Sequence, residues 1–236
     1  MKKVLIVRGG WAGHDPVRIS ERFRDLLEKE GMQVEISDTL DAFLDLDKLM
    51  QLHLIIPVWT MGKIANEQVK PVLEAVASGV GIAGCHGGMC DAFRECVEWQ
   101  FMTGGQWVSH PGGSEVEYTV NIKSTSSPIT EGIKDFSIKS EQYYLHIDPA
   151  IEVLATTRFP IAAWYHSSNG EVDVPVVWTK RWGHGRVFYS SLGHDNSVFD
   201  TSEALEIMRR GFLWAIEGRD IAIRNNLSSD VFKDEA

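Results

Sequence analysis

The chain has 236 residues, enough for one substantial core, and its 44% apolar and 24% charged residues sit at the globular average rather than in the disordered range. A formal net charge of −10 argues against a nucleic-acid partner or an anionic membrane, since the richest basic cluster, Arg18, Arg22 and Arg24, is interleaved with acids. No apolar run approaches the roughly 18–20 residues that span a bilayer, and the short run after Lys2-Lys3 cannot form a signal-peptide core, so a cytoplasmic protein is expected.

Val4–Val7 reads as a buried first strand. Pro16 opens a helix in which Ile19, Phe23, Leu26 and Leu27 recur at helical spacing until Gly31 stops it. Val34–Ser37 is the second strand and Leu52–Trp59 the third, with Pro57 marking either its end or a place where no ladder bond is required. Asn66–Ser78 is a helix ended by Gly79, Val80–Gly84 the fourth strand, and Met89–Trp99 a further helix. This alternation is the βαβ pattern of a parallel sheet with helices on both faces. The second half differs. Val116–Val120 and Ile151–Leu154 alternate, and Val174–Thr179 turns through glycines into Arg186–Ser190, which predicts extra antiparallel strands. A last helix spans Ser202–Glu217, and the polar tail from about 219 is expected to pack on the surface or on a neighbouring subunit of a homo-oligomer. With no repeat or linker, one α/β domain over 1–236 is the expectation.

Ligands of open α/β sheets bind beyond the carboxyl ends of the strands. Those ends carry His14 after the first strand, Trp59 and Thr60 at the third, His86 after the fourth, and His194 after the late strand. The turn Gly84-Cys85-His86-Gly87-Gly88 has the spacing of a nucleophile elbow, whose flanking glycines make room for a tight strand-to-helix turn. Its apex is an imidazole, beside backbone N–H groups that can receive an anion. The three cysteines, Cys85, Cys90 and Cys96, lack zinc-finger spacing and fit reduced thiols. The G-x-G-x-x-G dinucleotide fingerprint is not met after the first strand.

GCHGG, then GGQWVSHPGG from Gly104, EQYY from Glu141 and GRVFYSSLGHD from Gly185 together resemble the ThuA-like family, named for trehalose utilisation. The resemblance runs from the first strand to Trp214 of the last helix. It implies a flavodoxin-like, class I glutamine amidotransferase-like fold and a link to disaccharide, keto-sugar or polyol catabolism. The elbow departs from true amidotransferases: glutamine hydrolysis needs a thiolate at the apex, and residue 86 is histidine. Glutaminase activity is therefore not expected.

What remains is a pocket of imidazoles and one acid. His86, His194 and Glu141 are the expected catalytic residues, and Trp11, His14, Trp59, Gly87, Gly88, His110 and Tyr143 the expected substrate contacts. Two chemistries stay open. His14, His86, His110, Glu141 and His194 supply the donors of a divalent zinc, manganese or iron site. Alternatively, a histidine oriented by Glu141 shuttles a proton without metal. A third possibility is a catalytically inert protein that binds a sugar or metabolite. The aromatic loops, with Trp11, Trp59, Trp107 and Trp164, suit the apolar faces of a small-molecule sugar, whereas Trp99, Trp178 and Trp214 read as packing. His184 is expected to be exposed, His166 to end a strand, and His53 and His146 have no identifiable partner.

Overall fold

A computed structural model describes residues 1–160 and 164–235. Strands β1 (Lys3–Gly10), β2 (Gln33–Ser37), β3 (Leu54–Thr60) and β4 (Gly81–Cys85) alternate with helices α1 (Pro16–Lys29), α2 (Leu46–Leu49) and α3 (Asn66–Ala77). After β4 come α4 (Gly87–Cys90), α5 (Val97–Thr103), β5 (Gly105–Ser109), β6 (Val116–Ile122), β7 (Phe136–Ser140), β8 (Tyr144–Ile147) and β9 (Glu152–Phe159). The chain ends with β10 (Val172–Trp182), β11 (Gly185–Ser190), the long α6 (Ser202–Arg224) and a short 3-10 turn.

Nine strands form one sheet in the order β2-β1-β3-β4-β11-β10-β9-β6-β7, and β5 pairs with β8 in a separate ribbon. The first five strands in that order pair in parallel, and the remaining pairings are antiparallel. The order β2-β1-β3-β4-β11 is the flavodoxin-like 2-1-3-4-5 pattern, so the α/β class and the added antiparallel strands are both as expected. β1 is apolar on both faces because both are covered: Val4 and Ile6 join α1 and α6 on one side, and Leu5 and Val7 join α3 and α5 on the other.

Pro57 lies inside β3 without breaking it. The β3–β4 ladder covers only Leu54 and Ile55, so β4 has already stopped pairing where proline lacks its donor.

The predicted helix over 89–99 does not form. The chain leaves α4 at Cys90 and starts α5 only at Val97. Between them Phe93 adopts φ +50°, which no right-handed helix allows. Phe93 N donates to Met61 O (3.2 Å) and Met61 N to Asp91 O (2.8 Å), so pairing with the loop after β3 replaces the helical ladder. Trp99 is still core, its indole donating to Met89 O at 2.9 Å.

The last helix overruns its predicted end and reaches Arg224. Gly218 is not a stop signal: a β-carbon there would lie 2.6 Å from Arg186 Cγ. Trp178 is buried, while Trp214 is only half-buried, under the Arg186 guanidinium at 4.7 Å. The tail folds back on the domain through Ser229, whose hydroxyl donates to Glu74, and through His184, half-buried rather than exposed, which donates to Ser228 O at 3.2 Å. His53 does have partners, accepting from Lys3 N at 3.3 Å and lying 3.9 Å from Asp220. His166 sits in a 3-10 segment, Trp164–Asn169, rather than at a strand end.

Gly211 of α6 is a packing constraint, since a β-carbon would stand 2.2 Å from the buried Phe188 ring. Alanine is the better helix former by about 1 kcal/mol, but overpacking costs about 1–3 kcal/mol. Gly211→Ala is expected to lower the urea midpoint; a raised midpoint would show that Phe188 yields without cost.

Candidate functional site

Four strand ends and one connection converge beyond the carboxyl edge of the parallel strands. His14 ends the 3-10 turn Ala12–His14 after β1. That turn is held by Trp11 N donating to Thr60 O at 3.0 Å, and the His14 ring by Nδ1 lying 2.9 Å from Thr60 Oγ1. His86 stands at the turn between β4 and α4 with φ 48° and ψ −138°, a conformation that L-residues rarely adopt. Its flanks must be glycine. A β-carbon at Gly84 would lie 2.8 Å from Met89 Cβ, and one at Gly87 would lie 2.5 Å from His14 Nδ1. Gly88 packs directly on the backbone of Val58. Gly87 therefore leaves the room that the His14 ring occupies, and Gly88 permits the close approach of the turn to β3.

Glu141, in the connection between β7 and β8, is buried and carries the charge of the site. Tyr118 holds its backbone by donating to Glu141 O at 3.1 Å. The two carboxylate oxygens have different company. Oε2 faces His86 Nε2 at 3.0 Å, His194 Nδ1 at 3.2 Å and His14 Nε2 at 3.7 Å, whereas Oε1 faces only His110 Nε2, at 3.8 Å, among these imidazoles. The donor atoms of His14, His86, Glu141 and His194 all lie within 4.8 Å of one another. His110 stands apart from that set and is part-exposed at the rim.

The tautomer of His86 follows from its partners. Nδ1 lies 2.8 Å from Ser191 O, a carbonyl that can only accept, so Nδ1 carries the proton. In the neutral ring, Nε2 then presents a lone pair to Glu141 Oε2. Burial is the main force on the ring and pushes its pKa down to about 4, the Glu141 hydrogen bond opposing. Burial would raise the Glu141 carboxyl, but hydrogen bonds with His14, His194 and His86 outweigh it and hold the group well below the ordinary range. His86 Nε2 and Glu141 Oε2 meet at 3.0 Å, hydrogen-bond length, inside the buried site. His194, by contrast, is raised by its contact with Glu141, yet its Nδ1 is buried without an aligned hydrogen bond. Donors at about 2.1 Å from a tetrahedral metal are about 3.4 Å from one another, so three imidazoles and one carboxylate at these separations fit a divalent cation. Ser191 and Thr60 then serve as the outer partners that orient His86 and His14.

Among the described residues, non-glycine positive φ occurs at Asp15, Met61, His86, Phe93 and Asn226. Asp15 and Met61 adjoin His14 and Thr60, and Phe93 binds Met61, so four of these five strained positions lie on the loops that build the site.

Tyr143, an expected substrate contact, is buried with its ring stacked on His86 at 3.8 Å. Trp59, half-buried near the end of β3, has its indole against Gly9 and Gly62. Trp11 is 47% exposed and edge-on to His14 at 4.7 Å, and Trp107 lies 5.5 Å from His110 with the Arg94 guanidinium on its face at 4.6 Å. The side chain of Trp164 lies outside the described residues. Cys85 is buried away from the apex, its thiol pushed up to about 12 by burial, so no thiolate stands in for the absent nucleophile. No spacing in the sequence marks Tyr118 or Arg94, whose guanidinium is paired with the buried Asp91 (Nη2–Oδ2 2.9 Å), and Ser191 is marked only by its place just after a strand.

A sequence profile of the trehalose-utilisation family ThuA matches residues 3–215, and the chain belongs to that family. Two solved ThuA-like proteins share the fold. The one from Bacteroides uniformis is 18% identical, covers 91% of each chain and has a TM-score of 0.74. That from Parabacteroides merdae is also 18% identical, covering 92% of this chain and 91% of its own, with a TM-score of 0.70. A cytoplasmic protein from Salmonella typhimurium has the same architecture at 11% identity, covering 91% of this chain and 99% of its own, with a TM-score of 0.61. None of the curated proteins matches the chain in sequence. No helix among the described residues is long and apolar enough to cross a membrane.

The buried His86 predicts acid sensitivity of the metal-free protein. Between pH 6.5 and about 4 the unfolded chain binds a proton at this ring that the folded chain does not. Stability therefore falls on acidification through that window, by on the order of 3 kcal/mol from this residue. The depressed Glu141 adds loss of the same sign below its ordinary 4.5, whereas the raised His194 loses its contribution as pH rises above 6.5. Urea denaturation across this range measures the slope; a flat acid limb would show that folded His86 is already protonated.

Proposed function

We propose that the chain is a sugar-processing enzyme of the ThuA family that performs metal-assisted acid/base chemistry on a disaccharide, a keto-sugar or a related polyol. The observation that carries the reading is the convergence of three imidazole nitrogens on one buried carboxylate oxygen, Glu141 Oε2, from His86 Nε2 at 3.0 Å, His194 Nδ1 at 3.2 Å and His14 Nε2 at 3.7 Å. His14, His86, Glu141 and His194 would hold the ion. When bound, a divalent metal polarises a carbonyl or hydroxyl oxygen and so eases loss of the adjacent proton.

The protein's own groups supply the rest. His110, the ring on the far oxygen of Glu141 and open to solvent, is placed to exchange a proton with a bound hydroxyl at Nε2. Trp11 and Trp107 present aromatic surface to an apolar sugar face. Tyr143 and Ser191 keep the His86 ring immobile. The family description, trehalose utilisation, supports a carbohydrate substrate. A cytoplasmic setting is supported by the Salmonella protein of the same fold. Glutamine hydrolysis has no nucleophile in this site, and purified protein should release no ammonia from glutamine above a boiled control.

Metal analysis of protein purified without chelator or nickel affinity tests the centre. One equivalent of zinc, manganese or iron is expected, falling at least tenfold in Glu141→Gln and His14→Ala while both variants keep native circular dichroism. A wild type free of metal even after incubation with each ion would overturn the metal reading. Sugar recovered unchanged from metal-loaded protein would instead favour an inert binding protein.

A further inference from the structure

A cleft of about 770 Å³ adjoins the Glu141 site across the β5–β8 ribbon, lined by Val108, Ser109, Tyr144, Ile147, Tyr165 and His166 among others. The two are linked by consecutive residues. Tyr143 stacks on His86 while Tyr144 lines the cleft, and His110 approaches Glu141 while Ser109 and Pro111 line the cleft. Its volume lies in the range of small-molecule sites, about 300–1,000 Å³.

The lining chemistry narrows the ligand. Among the described lining residues none is a lysine, arginine, aspartate or glutamate, which leaves His146 and His166 as the lining side chains there able to pair with a phosphate or a carboxylate. What it offers is aromatic surface with uncharged hydrogen-bonding groups. Tyr144 and His166 are bonded through Oη and Nε2 at 3.1 Å, their rings edge-to-face at 4.9 Å. His166 Nδ1 is buried and makes no hydrogen bond among the described residues, a polar atom whose cost a ligand hydroxyl would relieve. Tyr165, 86% exposed, stands at the opening. Aromatic faces beside neutral polar groups are the pattern that meets a sugar ring, with its apolar face and its rim of hydroxyls.

We propose that this cleft is a second, neutral-carbohydrate binding site, distinct from the Glu141 cluster and adjacent to it. It goes beyond the proposed function and stands on its own lining, since it needs no metal. An occupant would bear on Tyr144, whose neighbour Tyr143 supports His86.

Calorimetric titration with trehalose and with glucose tests it, using wild type, His86→Ala and the double variant Tyr144→Phe/Tyr165→Ser. Sugar binding is expected to persist in His86→Ala and to weaken at least tenfold at one site in the double variant, with metal content and Tm unchanged. Tyr165→Ser alone, at an exposed position, serves if the double variant is unstable, and should weaken that site at least threefold. Identical isotherms in wild type and the tyrosine variants would overturn the proposal, as would a wild type that binds neither sugar. A shift in oligomeric state on Tyr165→Ser, read by sedimentation, would also overturn it by assigning the cleft to a second copy of the chain. Metal content separates the two readings: bound metal without cleft binding leaves the catalytic reading standing, and cleft binding without metal leaves only the second site.

Discussion

A buried carboxylate with three imidazole nitrogens turned on one of its oxygens is the constraint around which the loops of this protein are arranged. Glu141 cannot be buried alone without a large desolvation cost. Its partners must come from distant parts of the chain, because no single strand end presents three imidazoles to one atom. His14 arrives after β1, His86 after β4 and His194 after β11, while Tyr118 on β6 holds the backbone of Glu141 itself. The hydrogen bond from His86 Nδ1 to Ser191 O then orients the ring so that Nε2 faces the carboxylate.

Holding that geometry has a backbone cost, and its distribution is informative. His86 occupies a disfavoured φ/ψ region, and Asp15, Met61 and Phe93 are left-handed on the surrounding loops. Strain at one position costs about 1–3 kcal/mol, so the scaffold must over-determine it. The parallel half of the sheet does so with two cores, one on each face, and with fully buried runs such as Val4–Val7 and Leu54–Val58. Met61 and Phe93 stabilise each other's loops through two backbone hydrogen bonds, and that pairing is also what ends α4 early. The rim of the site and the break in the helix have one cause.

An elbow that presents an imidazole separates the fold from the chemistry it most readily suggests. Gly84, Gly87 and Gly88 satisfy the steric demands of the turn whatever stands at its apex. With histidine there the turn presents a ligand or a base instead of a nucleophile, and the neighbouring thiol of Cys85 is buried in its protonated form. Shared architecture therefore says little about reaction here, and the donor atoms gathered at the apex say more.

Much of the fold and the location of the site were legible in the residues alone. Fully apolar runs at Val4–Val7 and Ile82–Ala83, alternating strands in the second half and the glycine spacing around His86 are local signals, and local sterics and solvation decide their outcome. They determined the α/β class, the parallel half of the sheet and the place of His86 at its turn, whereas Glu141 was reached through the EQYY segment of the family resemblance. Other features depended on contacts between residues far apart in sequence. The helix over 89–99 failed because Met61 competes for the backbone of Asp91 and Phe93, and Gly218 lies inside a helix because Arg186 packs against it. The stacking of Tyr143 on His86 and the packing of the Trp59 indole on Gly9 and Gly62 depend on neighbours that no spacing rule names. Above all, the division of Glu141, with Oε2 toward three imidazoles and Oε1 toward His110, exists only once five connections are in place. Sequence supplies the donors, but the way an imidazole nitrogen faces is set by the partner on the other side of the ring, and that partner is a matter of tertiary structure.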